Sequence, residues 1–142
     1  MKIERFEDLT AWQEARKLVA FVYRLAMNAT FRADRELVRQ IRRASVSVMA
    51  NITEGFSRYS YKDSEVFFVV SRSSLEELRS HSYIALDQEY LTNEELIAMR
   101  EQMERVGRLV TGLIRNSRQQ LAHAAAERLS DSAIERLSAL RK

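Results

Sequence analysis

The chain reads as an all-α protein: an antiparallel up-and-down four-helix bundle with a short C-terminal helical extension. Three observations predict this. Proline is absent and glycine occurs only three times in 142 residues, so little in the chain interrupts a helix. Apolar residues recur three and four apart through four long segments, the spacing of one buried helix face. The breaks between segments are short and polar, and short connections make consecutive helices antiparallel neighbours. The expected division is a bundle over residues 1–120 and an extension over residues 121–142, the latter a short helix or partly disordered.

The first helix is expected from about Asp8 to Asn28, with Trp12, Ala15, Val19, Val22 and Ala26 at helical spacing and Leu18 and Leu25 widening the stripe. "NATFRAD" breaks the pattern through the turn residues Asn28 and Thr30. The second helix runs from about Asp34 to Ser57, on Leu37, Ile41, Ala44 and Val48; the same step then lands on Asn51 and Gly55. "SRYSYKD" is the next break, with Ser60 as N-cap of a third helix over about Tyr61–Gln88. Its stripe, Phe68, Ser71, Leu75, Leu78, Ser82 and Leu86, mixes small and large residues, which lets a neighbouring backbone approach closely. Thr92 and Glu95 form a capping box for the fourth helix, about Asn93–Gln120, whose seam is Leu96, Met99, Met103, Val106, Val110 and Leu113. "AHAAAERLSDS" weakens the stripe, and a second capping box, Ser132 and Glu135, precedes Ile134, Leu137 and Leu140.

The absence of cysteine removes disulfides, thiol catalysis and thiolate metal sites together. "MKIERFEDLTAW" lacks the apolar core of a signal peptide, and no apolar run is long enough to cross a membrane, so a cytoplasmic, non-membrane protein is expected. The formal net charge is +3, and most of the positive charge is arginine, which permits an acidic partner without demanding one.

The stretch "SVSVMANITEGFSR" interrupts the apolar stripe of the second helix with Ser47, Asn51, Glu54 and Gly55. Buried polar groups need hydrogen-bond partners, so these four residues are read as a structural polar layer, with Asn51 and Glu54 facing inward and bonded to arginine or backbone on a neighbouring helix. Gly55 costs about 1 kcal/mol against alanine and is tolerated near a helix end or under a closely packed helix.

This segment also resembles the signature of the four-helix-bundle proteins encoded in intervening sequences of bacterial 23S rRNA genes. Gln40, Arg42, Arg43, Ala44, Ser47, Asn51, Ile52, Glu54, Gly55 and Arg58 fit that signature, with Thr53 in place of the usual alanine. Phe6, Leu9, Trp12, Ala15 and Tyr23 are similar to the family's opening helix, and Glu65, Phe68 and "SSLEEL" to its third. The resemblance spans about residues 3–115; a proline often found before the second helix is missing, and the chain beyond about Gln120 looks like an addition. It implies a four-helix protomer, usually a homopentamer. The family's relatives include accessory proteins of diversity-generating retroelements, which bind nucleic acid and a reverse transcriptase. The family name reflects genomic location and implies no ribosomal role.

Two basic stripes are the candidate nucleic-acid contacts, Arg35, Arg39 and Arg42 on the second helix and Arg105, Arg108, Arg115 and Arg118 on the fourth, since guanidinium forks fit phosphate oxygens. Glu36, Glu101 and Glu104 dilute them. RNA or DNA is therefore the expected partner of a non-enzymatic homo-oligomer. A protein-interaction scaffold, with a protein partner and no nucleic acid, is the alternative. Phe21, Phe31, Phe56, Tyr59, Tyr61, Phe67 and Val69 look surplus to one core seam and are read as oligomer surface. Glu77 and His81 share a helix face but lack the further ligands of a metal site, so no metal and no cofactor is expected. Arg118 and His123 form Arg-x4-His, similar to the motif of HEPN-type ribonucleases, which supplies a third, enzymatic alternative.

Overall fold

The computed structural model describes residues 2–141; Met1 and Lys142, the outer ends of the two expected regions, lie outside the described residues. A 3-10 turn, Phe6–Asp8, leads into α1 (Thr10–Leu25), α2 (Ala29–Ala33), α3 (Arg35–Phe56), α4 (Tyr61–Asp87) and α5 (Asn93–Ala139). Helices α1, α3, α4 and α5 form the bundle. α3 packs on α4, α4 on α5, and α1 closes the ring against both α3 and α5.

The caps follow the sequence closely. Ser60 Oγ accepts the Asp63 N–H at 3.1 Å, and Thr92 and Glu95 make both bonds of the capping box. The first break holds more structure than expected. Asn28 Oδ1 accepts from the N–H groups of Thr30 and Phe31 and so starts the one-turn helix α2, and Asp34 Oδ1 accepts from Leu37 N–H and starts α3. The expected break near residue 120 does not occur: α5 continues through Ser132, and the extension is helix joined to the bundle rather than a separate short one. Ala122, Ala124, Ala125 and Ala126 are strong helix formers, and without proline or glycine an internal Ser-x-x-Glu has nothing to start. Past Ser117, α5 contributes no fully buried residue.

The core is the predicted stripe with local drift. Leu96, Met99, Met103, Val106 and Val110 are buried, but Ile114 takes the place expected of Leu113, which is half-buried. A helix of 3.6 residues per turn slips past a 3.5-residue pattern. The same drift on α3 puts Ile52 into the core and moves Asn51 to its edge.

The α3–α4 contact is built from small residues. Ser71 Oγ donates to the Val48 carbonyl across the helix pair at 2.7 Å, and Ser47 Oγ and Ser74 Oγ share a hydrogen bond at 2.8 Å. Gly55 is buried because a methyl group there would lie 2.5 Å from Phe68 Cε1. On the opposite side of the bundle, Gln102 Nε2 donates to both the backbone oxygen and the carboxylate of buried Glu14, each at 2.9 Å.

Candidate nucleic-acid interface

The polar stretch that interrupts α3 divides into three parts. Asn51 is half-buried and donates from Nδ2 to the Ser47 carbonyl at 2.8 Å and to Ser47 Oγ at 3.1 Å, so its partners are on its own helix. Ser47 carries the link onward to Ser74 of α4. Glu54, expected inward, is exposed and paired with Arg58 at 2.6 Å one turn along α3. Residue 54 lies about 60° from residue 51 around the helix, enough to carry it out of the core. Gly55 answers a packing need rather than a polar one.

Of the aromatic residues read as surplus, Phe31 is buried and stacked on Tyr90, with ring centroids 5.2 Å apart. Phe21 and Phe67 are half-buried beneath Arg24 and Arg58, Phe56 is half-buried, and Val69 packs on the core. Tyr59 and Tyr61 are exposed, with Val66 and Val70 of α4 beside them in sequence.

The α3 stripe holds together. Arg35, Arg39 and Arg42 lie within about 60° around the helix, and they line one open groove with Arg32 of α2, Ala29, Ala33 and Val38. Arg42 sits over the Tyr23 ring at 4.7 Å, and its Nε is buried with no hydrogen-bond partner. Arg39 is engaged by Glu36 at 2.7 Å. That partnership, together with Gln40, holds the Glu36 carboxyl below its usual range.

The α5 stripe does not form one face. Arg105 and Arg118 stand about 140° apart on the helix. Arg105 approaches Glu14 on the α1 side at 3.9 Å, while Arg118 donates to Glu65 of α4. Arg108 and Arg115 remain together and share a second open groove with Arg72 of α4, Leu75, Glu76, Gly107 and Thr111. Arg32 and Arg72 are therefore candidate contacts the sequence reading missed. Arg32 lies in the segment read as a loop, and Arg72 lies three residues before Leu75 on the flank of the α4 stripe.

Arg118 and His123 are also about 140° apart, and each has its own carboxylate partner, Glu65 and Glu127 respectively. His81 pairs with Glu77 at 3.3 Å, and Arg43 approaches the same carboxylate. Among the described residues, no group of three or more His, Cys, Asp or Glu side chains is placed to hold a metal ion. No described helix is long and apolar enough to cross a membrane.

The geometry defines a closed helical bundle bearing arginine-lined grooves at the α2–α3 junction and along α4–α5, the latter continuing from Arg108 and Arg115 to Arg118. The profile of the family described as 23S rRNA-intervening sequence protein matches residues 7–112, and the chain belongs to that family. A crystal structure from Bacteroides thetaiotaomicron VPI-5482, a protein of unknown function from the S23 ribosomal protein family, is similar with a TM-score of 0.68 at 18% identity. The match covers 74% of this chain and 98% of that one, and at this identity the likeness is one of fold. No curated protein matches the chain.

Proposed function

We propose that the protein is a non-enzymatic, cytoplasmic homo-oligomer, a pentamer, that binds RNA or DNA through its arginine-lined helix faces. The supporting observation is the pairing pattern. Among the described residues, Arg32, Arg35, Arg42, Arg72, Arg108 and Arg115 take part in no ion pair, while Glu36, Glu54, Glu65, Glu76 and Glu77 are engaged by Arg39, Arg58, Arg118, Arg79 and Arg43. Unpaired guanidinium groups grouped in open grooves are suited to phosphate, and a ring of copies would multiply a modest local charge into a strong field. The exposed Tyr59, Tyr61, Val66 and Val70 supply apolar surface for contacts between copies.

Fluorescence anisotropy with labelled single-stranded RNA and duplex DNA tests the reading. Binding at low salt should fall steeply as salt rises, because each phosphate contact releases counterions. It should show little sequence preference, since few exposed aromatic rings stand beside the arginines. The double reversal Arg108→Glu and Arg115→Glu should weaken binding and flatten the salt slope while light scattering still gives the mass of the wild-type oligomer. No binding to either probe at low salt would favour the protein-interaction scaffold.

A further inference from the structure

Arg42, which lines the groove at the junction of α2 and α3, carries an unsatisfied donor, which no residue of the α4–α5 groove does. Arg42 Nε is buried without a partner. A buried N–H left unpaired is costly, and one that belongs to a guanidinium is best satisfied by an oxyanion. The nearby carboxylates are already occupied. Glu36 takes Arg39 and Gln40. Asp34 accepts from Leu37 N–H through Oδ1 and from the Tyr90 hydroxyl through Oδ2, both at 3.1 Å. Four guanidinium groups thus line a groove that also presents the short side chains of Ala29 and Ala33, and an anion entering it would offset their mutual repulsion.

The shape narrows the class of anion. The groove is open, and the one aromatic ring at its edge, Tyr23, is already covered by Arg42. A base or an acyl chain would find no free ring and no apolar depth, whereas a phosphate needs neither. A guanidinium over a ring is fixed in orientation and presents its fork to two oxygens at once.

We propose that the α2–α3 groove is a phosphate clamp, in which Arg42, seated on Tyr23, makes the central contact and Arg32 and Arg35 close on it from α2 and the start of α3. The clamp rests on the nucleic-acid reading for its physiological source and on its own geometry for its chemistry. A phosphodiester backbone and a free polyphosphate present the same group, and the experiment separates them.

Calorimetric titration of the full chain with pyrophosphate, beside anisotropy with single-stranded RNA, is the test. Pyrophosphate should bind the wild type. Arg42→Ala and the double variant Arg32→Ala, Arg35→Ala should each weaken both ligands about tenfold or more, and the double variant alters only exposed side chains. Arg42→Lys keeps the charge but loses Nε and the fork, so it should fail nearly as badly as Arg42→Ala. An Arg42→Lys variant that binds like wild type would reduce the clamp to charge alone and overturn it. RNA binding that persists without pyrophosphate binding and ignores Arg42 would also overturn the clamp while leaving the nucleic-acid reading standing. Pyrophosphate binding without RNA binding would uphold the clamp for a free polyphosphate and reject that reading. A smaller assembly mass for Arg42→Ala at unchanged melting temperature would place the groove between copies of the chain and overturn the proposal.

Discussion

Replacing Gly55 by alanine sets two known effects against each other. Alanine favours the helical state over glycine by about 1 kcal/mol, through helix propensity and the lower entropy of the unfolded chain. Against this, the new methyl would stand 2.5 Å from Cε1, 2.7 Å from Cδ1 and 3.0 Å from Cζ of Phe68. Carbon atoms in contact sit about 3.5–4.0 Å apart, so roughly an ångström must be found. Phe68 is 5% exposed and belongs to the neighbouring helix, so its ring cannot swing into solvent without leaving a hole in the core. Overpacking of this kind costs about 1–3 kcal/mol, and the upper half of that range fits a rigid ring met face-on by a helix backbone. The net expectation is a loss of about 1–2 kcal/mol, or about 3–8 °C in melting temperature for a chain of this length. Thermal and urea unfolding followed by circular dichroism, at one protein concentration, would measure it. The double variant Gly55→Ala, Phe68→Leu should be more stable than the sum of its single changes by about 1 kcal/mol or more, because the smaller side chain admits the methyl. A Gly55→Ala variant that melts above the wild type, or a double-mutant cycle that is simply additive, would refute the close-approach account.

Two further substitutions test the packing logic elsewhere. Glu14 is a buried carboxylate whose pKa is held below its usual value by the Gln102 amide, then by the Lys17 hydrogen bond, with Arg105 adding attraction. A depressed folded-state pKa contributes stability above the unfolded value, and that contribution is lost as pH falls through the folded one. Glu14→Gln should therefore cost about 1 kcal/mol at neutral pH, and its gap from wild type should narrow as pH falls below the ordinary glutamate range and close below the lowered folded-state value; a gap independent of pH would exclude the carboxylate's charge as the cause. Glu89 has φ of 60° at the end of α4, where Tyr90 N–H bonds to the Ala85 carbonyl and Glu89 N–H to that of Leu86. That left-handed position suits glycine, so Glu89→Gly should raise stability by about 1 kcal/mol, and a lower urea midpoint would show that the exposed glutamate side chain contributes something its geometry does not reveal.

The elements were legible where chemistry is local. Ser60, Thr92 and Glu95 cap as their spacing requires, and the four seams bury most of the residues their period selects, with Ile114, Ile52 and Ala85 taking the places expected of Leu113, Asn51 and Leu86. Three features escaped, two because their partners lie far along the chain and one because it is too short. Glu14 is an ordinary surface glutamate until Gln102, 88 residues later, meets it across the α1–α5 contact. Phe31 looked like surplus apolar surface because its partner, Tyr90, lies beyond the whole α3–α4 hairpin. Asn28 was visible as a turn residue and Asp34 as the start of the next helix, but two caps with five residues between them enclose a single turn of helix, too short for a periodic signal.

The candidate site shows the same limit in electrostatic form. A net charge of +3 gives little hint of an anion surface, and counting arginines does not locate one, since Arg105 on α5 turns towards Glu14 while Arg108 and Arg115 stay together beside Arg72. What distinguishes a binding face is which carboxylates have already been used. Glu36, Glu54, Glu65 and Glu76 hold Arg39, Arg58, Arg118 and Arg79, each pair fixed by the phase of a helix or by the contact between two. The same phase leaves Arg32, Arg35 and Arg42 together at the α2–α3 corner, where Glu36 is engaged by Arg39 and Asp34 by Leu37 N–H and the Tyr90 hydroxyl. Arg42 is further held by Tyr23, which reaches it through the α1–α3 contact. Pairing along single helices, and between α4 and α5 at Glu65 and Arg118, therefore decides which arginines stay free. In a helical protein of nearly balanced charge, the proposed anion surface lies where guanidinium groups that the fold leaves unpaired also share a groove.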